Sequence, residues 1–351
     1  TTPGWVLRSD ISQNDDDEGT IGPQGATLRD APQRDGRALG LIPGSSAVIV
    51  TGHPSGEFVP VRVDDTLLQP PADDAPPDPG ILGPAQNGLH ASADPDITEA
   101  EFAEFAAMRP GMIKVLTHHK TEDVARLARE HPNAKWVVRA FLSFGGRNVT
   151  PGQFLAWTRS EVERLLNALP GKDVVVELHN EPNLRSEGLY ASWQNGREFN
   201  DWWLELLDQY RRALPGVRFI YPGLSPGSTV TNTKLDHIKF VEECREAVEA
   251  ADGLGVHVYW SNVYPMNRAL DVVDDYISRF RFKPIWITEA SNNKGGVTAV
   301  QKAHQYLQFW QELQKRPVVQ GVTYFVASAL DQTFAEEVWV GRGIGRMVGL
   351  R

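Results

Sequence analysis

Over residues 84–351 short, nearly continuous apolar runs alternate with longer stretches whose apolar residues recur every three or four positions. The short runs fall at 87–90, 111–116, 136–142, 218–222, 253–260, 284–290 and 319–326, with a further one opening Val174-Val175-Val176-Glu177-Leu178-His179-Asn180-Glu181-Pro182-Asn183. Continuous Val/Ile/Leu runs of this length predict strands buried on both faces, as in a parallel sheet. The stretches between them, at 97–108, 122–130, 151–169, 197–214, 235–250, 268–280 and 297–315, have helical periodicity, and a short last helix is expected within 341–350. Eight strands alternating with helices predict an α/β fold, a (β/α)8 TIM barrel.

The first sixty residues read differently. Strand-like segments at 26–29, 38–42, 47–51 and 58–63 are separated by turn residues at 32–36, 43–44 and 53–56, which predicts a small all-β barrel. Residues 1–20 end in the polar run Ser12-Gln13-Asn14-Asp15-Asp16-Asp17-Glu18-Gly19 and are expected to form an exposed lead-in. Five prolines within 69–80 forbid helix and favour an extended spacer. The expected organisation is a β module over 1–66, a Pro-rich linker over 67–83 and a barrel over 84–351.

Composition narrows the function. With 41% hydrophobic and 23% charged residues, the 351-residue chain can bury a large core. A net charge of −10 argues against a nucleic-acid partner, and no apolar run approaches the ~20 residues that span a bilayer. The chain starts Thr1-Thr2-Pro3, as expected of a mature form or a fragment. A lone Cys244, within a helical stretch, leaves no cysteine metal site and reads as a packing residue.

Barrel strands present their C-terminal tips to one face, where chemistry is expected. His90, His118 and His119, Asn180 and Glu181, His257, Tyr259 and Trp260, and Glu289 collect there. Two strands, at 174 and 284, each deliver a glutamate, the minimum for cleaving a glycosidic bond. Tyr259 and His257, two apart, point the same way. Glu177 shares the direction expected for His179 and Glu181 but lies deeper, where an unpaired carboxylate is costly, and reads as structural support neutralised by Arg139 or Lys114.

His179-Asn180-Glu181-Pro182 on strand four, Ile287-Thr288-Glu289 on strand seven and His257-Val258-Tyr259 on strand six resemble clan A glycoside hydrolases of the cellulase-like families. The resemblance implies a retaining glycosidase that needs no cofactor and no metal, with Glu289 as nucleophile and Glu181 as general acid/base. It implies substrate contacts from Asn180, to the sugar 2-hydroxyl, and from Tyr259, which would also hydrogen-bond to Glu289, with His257 contacting the substrate or supporting the groups that do. His90, Trp260 and Trp339 are further substrate-binding candidates at the rim, and Trp193 and Tyr264 are candidate sugar platforms. The chain departs from the family where strand two has Lys114 in place of an arginine, and where Tyr324, Phe325 and Val326 stand at the tip of strand eight in place of a tryptophan. In the first module, Ala26-Thr27-Leu28-Arg29-Asp30-Ala31-Pro32, Leu39-Gly40-Leu41-Ile42-Pro43-Gly44 and Ala47-Val48-Ile49-Val50 resemble bacterial SH3-like modules. That resemblance implies attachment to a cell wall or glycan surface, or to the chain's own catalytic domain, and a secreted or cell-surface location.

Two other readings of the same barrel stay open at this stage. Histidines near several strand tips also suit a metal-dependent, amidohydrolase-like site, although strand one lacks the His-x-His pair. A catalytically inactive barrel that binds glycans or acts as a scaffold is the other.

Overall fold

A computed structural model of the chain describes residues 1–15, 17–23, 25–33, 38–64, 67, 85–281 and 283–349. The chain divides into two compact units, Thr1–Asp78 and Pro79–Arg351. The Pro-rich linker expected over 67–83 lies, apart from Leu67, outside the described residues.

The first unit is a seven-stranded antiparallel sheet: β1 (Thr2–Leu7), β2 (Ile11–Asp15), β3 (Glu18–Ile21), β4 (Ala26–Arg29), β5 (Ala38–Ile42), β6 (Ala47–Val50) and β7 (Phe58–Val63), in the order β2-β3-β6-β7-β1-β4-β5. Among the described residues β2 and β5 stand at the two ends of this strand order. The expected exposed lead-in is corrected. β1 pairs with β7 from Thr2↔Val63 to Leu7↔Phe58 and sinks Val6 completely, while the polar run forms the β2–β3 hairpin. Trp5-Val6-Leu7 is too short an apolar run to announce a strand, and only its long-range partner gives it one.

In the second unit eight parallel strands close into a barrel: β8 (Gln86–His90), β9 (Met112–Leu116), β10 (Lys135–Ala140), β11 (Val174–Leu178), β12 (Phe219–Tyr221), β13 (Gly253–Trp260), β14 (Ile285–Asn292) and β15 (Val319–Tyr324). Around them run α1 (Glu99–Met108), α2 (Thr121–Glu130), α3 (Pro151–Ala168), α4 (Gly196–Ala213), α5 (His237–Glu243), α6 (Arg245–Ala250), α7 (Met266–Arg279), α8 (Ala299–Leu313) and α9 (Ile344–Gly349). This is the (β/α)8 architecture. Reciprocal capping boxes start α3 (Thr150 with Gln153) and α8 (Thr298 with Gln301). The single helix expected over 235–250 is broken at Cys244, where Asn200 Oδ1 accepts the Ala247 amide and Cys244 Sγ donates to Gly196 O. Among the described residues no helix is long and apolar enough to cross a membrane.

Side-chain alternation explains where the polar floor of the site lies. Met112, Val137, Val175, Ile220 and Trp286 form their own small apolar cluster, apart from the core between strands and helices. Two residues further along β9, β10 and β11 the same face carries Lys114, Arg139 and Glu177, one layer nearer the strand tips. An apolar plug thus underlies a layer of buried charge.

Candidate active site

Glu289 reaches the barrel interior through a β-bulge. The β13–β14 register runs Val256↔Ile287 and then His257↔Glu289, so Thr288 is the extra residue. Both Thr288 and Glu289 consequently face inward: Thr288 Oγ1 donates to Glu177 Oε1 at 2.7 Å, and Glu289 enters the cleft. Strand β11 ends differently. His179 (φ 89°) and Glu181 (φ 38°) occupy left-handed backbone that non-glycine residues avoid, and Glu181 N is held by Gly223 O at 2.9 Å. Asn183 clamps the following loop, donating to Ser225 O and Leu235 O and accepting from Ser225 N.

This turn corrects one expectation, the shared direction of Glu177, His179 and Glu181. His179 swings out among Phe144, Phe154, Trp193, Phe199 and Trp202, where burial lowers its pKa to about 3. Only Glu177 and Glu181 serve the site.

Glu289 is 5% exposed and surrounded by donors. Its Oε1 accepts from Lys114 Nζ at 3.1 Å and Arg139 Nη1 at 3.2 Å, and its Oε2 accepts from the Tyr259 hydroxyl at 2.6 Å. Burial alone would raise its carboxyl pKa. The electrostatic influence of His257, Lys114 and Arg139 outweighs that and holds it well below the usual range, so it is ionised. Burial beside Glu289 pushes the Tyr259 phenol far up, keeping it a donor. Glu181 Oε1 lies 3.0 Å from His257 Nδ1, and carboxylate oxygens of Glu181 and Glu289 and a His257 ring nitrogen all lie within 4.8 Å of one another. A Cβ on Gly223 would come within 2.1 Å of the His257 ring, so this packing requires glycine there.

Beneath them Glu177 is wholly buried; its Oε1 accepts from Gly223 N and Thr288 Oγ1, and its Oε2 forms an ion pair with Lys114 Nζ at 2.9 Å. Burial raises its pKa, but Lys114 and His257 chiefly reverse the sign and leave it below the usual range. Lys114 is thus the cation that serves both buried carboxylates. Arg139 serves Asn180 Oδ1 (2.8 Å) and Glu289, and no ion pair joins it to Glu177 among the described residues. Removing Lys114 would leave two buried carboxylates short of a counter-charge. Lys114→Met should therefore cost about 3–5 kcal/mol in urea unfolding, with much of it recovered in the Lys114→Met/Glu177→Gln pair. An unchanged unfolding midpoint would contradict the charge layer described.

The cleft over this layer has a volume of about 440 Å³ and is lined by His90, Leu116, Phe141, Asn180, Ser225, Asn293 and others besides the two glutamates. His90 donates from Nδ1 to Ala91 O and is held neutral chiefly by burial, with its Nε2 4.0 Å from Glu289 Oε1. Three expected sugar-stacking residues are corrected. Trp260 alternates with Tyr259 and so faces α8, stacking on Phe309 and donating to Gln305 Oε1. Trp339 is buried against Tyr306 and Tyr324, and Trp193 is buried with its Nε1 on Pro182 O. Tyr264 remains exposed at 44% and is not among the cleft-lining residues. The aromatic walls are Phe141, Phe325 and Phe334.

Two carboxyls of the cleft escaped the sequence reading. Half-buried Glu187 accepts from Asn180 Nδ2 at 3.3 Å, and Glu337 is 7% exposed. Burial pushes each up to about 7. For Glu337 this raised folded-state value means a stabilising contribution that is complete below about pH 4.5 and is lost as pH rises through about 7. Glu337→Gln cannot titrate, so the melting temperature of the variant should gain on that of the parent across this window; a constant difference would contradict the assigned burial.

A larger groove of about 860 Å³ between α1 and α2 lies toward the opposite strand ends, near Gln86 and Gly111. Its lining does not include the Glu181–Glu289 group.

Residues 158–342, more than half of the chain, match the family profile described as glycosyl hydrolase catalytic core. No curated protein matches the chain. Similar solved structures include the family 5, subfamily 18 glycoside hydrolase of Streptomyces cattleya in complex with GlcNAc (TM-score 0.55, 16% identity, over 76% of this chain and 80% of that one). A family 39 glycoside hydrolase from the gut symbiont Bacteroides cellulosilyticus also matches (TM-score 0.53, 12% identity, 99% of this chain and 77% of that one). At such identities the likeness is one of fold.

Proposed function

Because the chain belongs to the glycosyl hydrolase catalytic core family, we propose that it hydrolyses O-glycosidic bonds of an oligosaccharide or polysaccharide by double displacement, with Glu289 as nucleophile and Glu181 as acid/base. The observation that supports this most directly is the pairing of carboxylate oxygens within 4.8 Å in unlike surroundings. Retaining enzymes hold their carboxyls ~5–5.5 Å apart, inverting ones ~6.5–9.5 Å to admit a water. Glu289 is ionised, fixed by three donors and 6% exposed at its side chain; Glu181 is 16% exposed and carries one nitrogen contact.

In the first step a Glu289 oxygen bonds to the anomeric carbon as the leaving oxygen departs with the Glu181 proton. In the second, Glu181 takes a proton from water, whose oxygen displaces Glu289 and restores the configuration. Arg139 orients Asn180 toward the sugar 2-position, and His257 Nδ1 steadies the Glu181 carboxylate between the steps. Products followed by NMR on a panel of β-glucans, mannans, xylans and peptidoglycan should first appear with the anomeric configuration of the substrate. Initial formation of the opposite anomer would overturn the double displacement.

The metal-dependent alternative fits poorly. Among the described residues the group able to converge on an ion is Glu181, His257 and Glu289, and Lys114 and Arg139 already stand on Glu289, where they would repel a second cation. His119 is committed to Leu116 N and Ser92 O, and His179 to the aromatic cluster.

The first unit is proposed to be an SH3-like module that holds the enzyme on a cell wall or glycan at a secreted or surface location, on the strength of its sequence pattern and its antiparallel sheet with a Val/Ile/Leu core. Sedimentation of the whole protein with insoluble peptidoglycan should persist when soluble oligosaccharide saturates the cleft. Complete release by that competitor would remove this role.

A further inference from the structure

More acid lines the cleft than the bases beside it pair. Lys114 and Arg139 pair with Glu177 and Glu289. Three carboxyls are left over on the wall, Glu181, Glu187 and Glu337, and among the described residues neither Glu187 nor Glu337 takes part in an ion pair. Glu337 is the more telling of the two. It is more than nine-tenths buried, the Ser291 hydroxyl bonds to its carboxyl, and its Oε2 has no partner although the side chain lines the cleft. A buried polar atom without a partner is costly and rare, and here it belongs to a side chain that lines the cleft.

Resting on the glycoside hydrolase reading of this site, we propose that the cleft takes a glycan bearing free amino groups, a 2-amino-2-deoxy sugar in its ammonium form, with Glu337 and Glu187 as the carboxylates that hold it. An ammonium supplies three donors and a positive charge, which suits desolvated carboxyls that stand outside any ion pair among the described residues; charge-assisted bonds of this kind are roughly twice as strong as neutral ones. Glu187 has a second use. It touches Asn180, which faces the sugar 2-position in the proposed mechanism. An ammonium at that position would oppose the positive charge that develops at the anomeric carbon, and an ionised Glu187 beside it offsets that field.

The charges around each group set the pH behaviour. Arg139 favours ionisation of Glu187, against Glu181 and Glu289. Lys302 favours that of Glu337, against Glu289 and Glu181. Below about pH 7 both are protonated in the free protein, so binding an ammonium should expel protons, whereas a neutral sugar would expel none.

The test is calorimetric titration of the full chain carrying Glu289→Gln, so that nothing is hydrolysed, with tetramers of glucosamine, N-acetylglucosamine and glucose at pH 6 in buffers of different ionisation enthalpy. The glucosamine tetramer should bind most tightly and release protons. Adding Glu337→Gln or, separately, Glu187→Gln should weaken it roughly 10- to 100-fold while the neutral tetramers change little. Equal or tighter binding of the glucose tetramer, or unaltered glucosamine affinity in both isosteric variants, would overturn the proposal. Turnover of neutral glycans alone by the parent protein would sink this inference and leave the glycosidase reading standing. Absence of turnover on every glycan would remove both.

Discussion

Glu289→Gln should lower turnover by about ten-thousand-fold or more while leaving the protein folded. The amide has nearly the shape of the carboxylate and can still accept from Tyr259, but it cannot form the ester to the anomeric carbon. Folding should survive because Lys114 keeps Glu177 at 2.9 Å and Arg139 keeps Asn180 at 2.8 Å. The smaller Glu289→Ala variant opens the position from which the nucleophile attacks. Azide should enter there and restore part of the rate, giving a glycosyl azide of inverted configuration. Steady-state kinetics together with NMR of the azide product checks both halves; a Glu289→Gln enzyme within tenfold of the parent would mean that another group attacks.

Glu181→Ala should behave differently in a way that depends on the substrate. Loss of proton donation typically costs ~10²–10⁴-fold, and only where the leaving group needs the proton. Natural glycosides should lose about that much, whereas dinitrophenyl glycosides, whose leaving group departs as a stable anion, should form the covalent intermediate at close to the parental rate and then stall. Azide should relieve the stall with retained configuration, since it attacks the glycosyl-enzyme from the face that water uses. Uniform loss across leaving groups, measured in burst and steady-state phases, would move Glu181 from proton transfer to substrate binding.

Much of this was legible because parallel strands buried on both faces read as unbroken apolar runs, and a charge among them is conspicuous. Lys114 in Met112-Ile113-Lys114-Val115-Leu116 and Glu177 in Val174-Val175-Val176-Glu177-Leu178 announce a polar layer, and the structure joins them at 2.9 Å. The sequence reading offered Arg139 or Lys114 as the partner of Glu177; only curvature of the closed barrel assigns Lys114 to it and Arg139 to Glu289 and Asn180. Tryptophans misled for a physical reason: an aromatic at a strand end suits a sugar platform and a helix-facing core equally. Alternation decides Trp260, since inward His257 and Tyr259 put residue 260 outward.

Glu187 and Glu337 lie in loops where no periodicity exists to expose them. Their burial comes from neighbours distant in sequence, and it sets both their pKa and their proposed role. The bulge at Thr288 was equally hidden, because strict alternation would have turned Glu289 away from the interior.

Trapping the intermediate tests the central claim most directly. A 2-deoxy-2-fluoro glycoside with a good leaving group, of whichever sugar the enzyme hydrolyses, should inactivate the protein stoichiometrically, and peptide mass spectrometry should place the added sugar on Glu289 alone. A label on any other residue, or full activity on natural substrate with no covalent adduct under conditions that turn over the probe, would contradict the account.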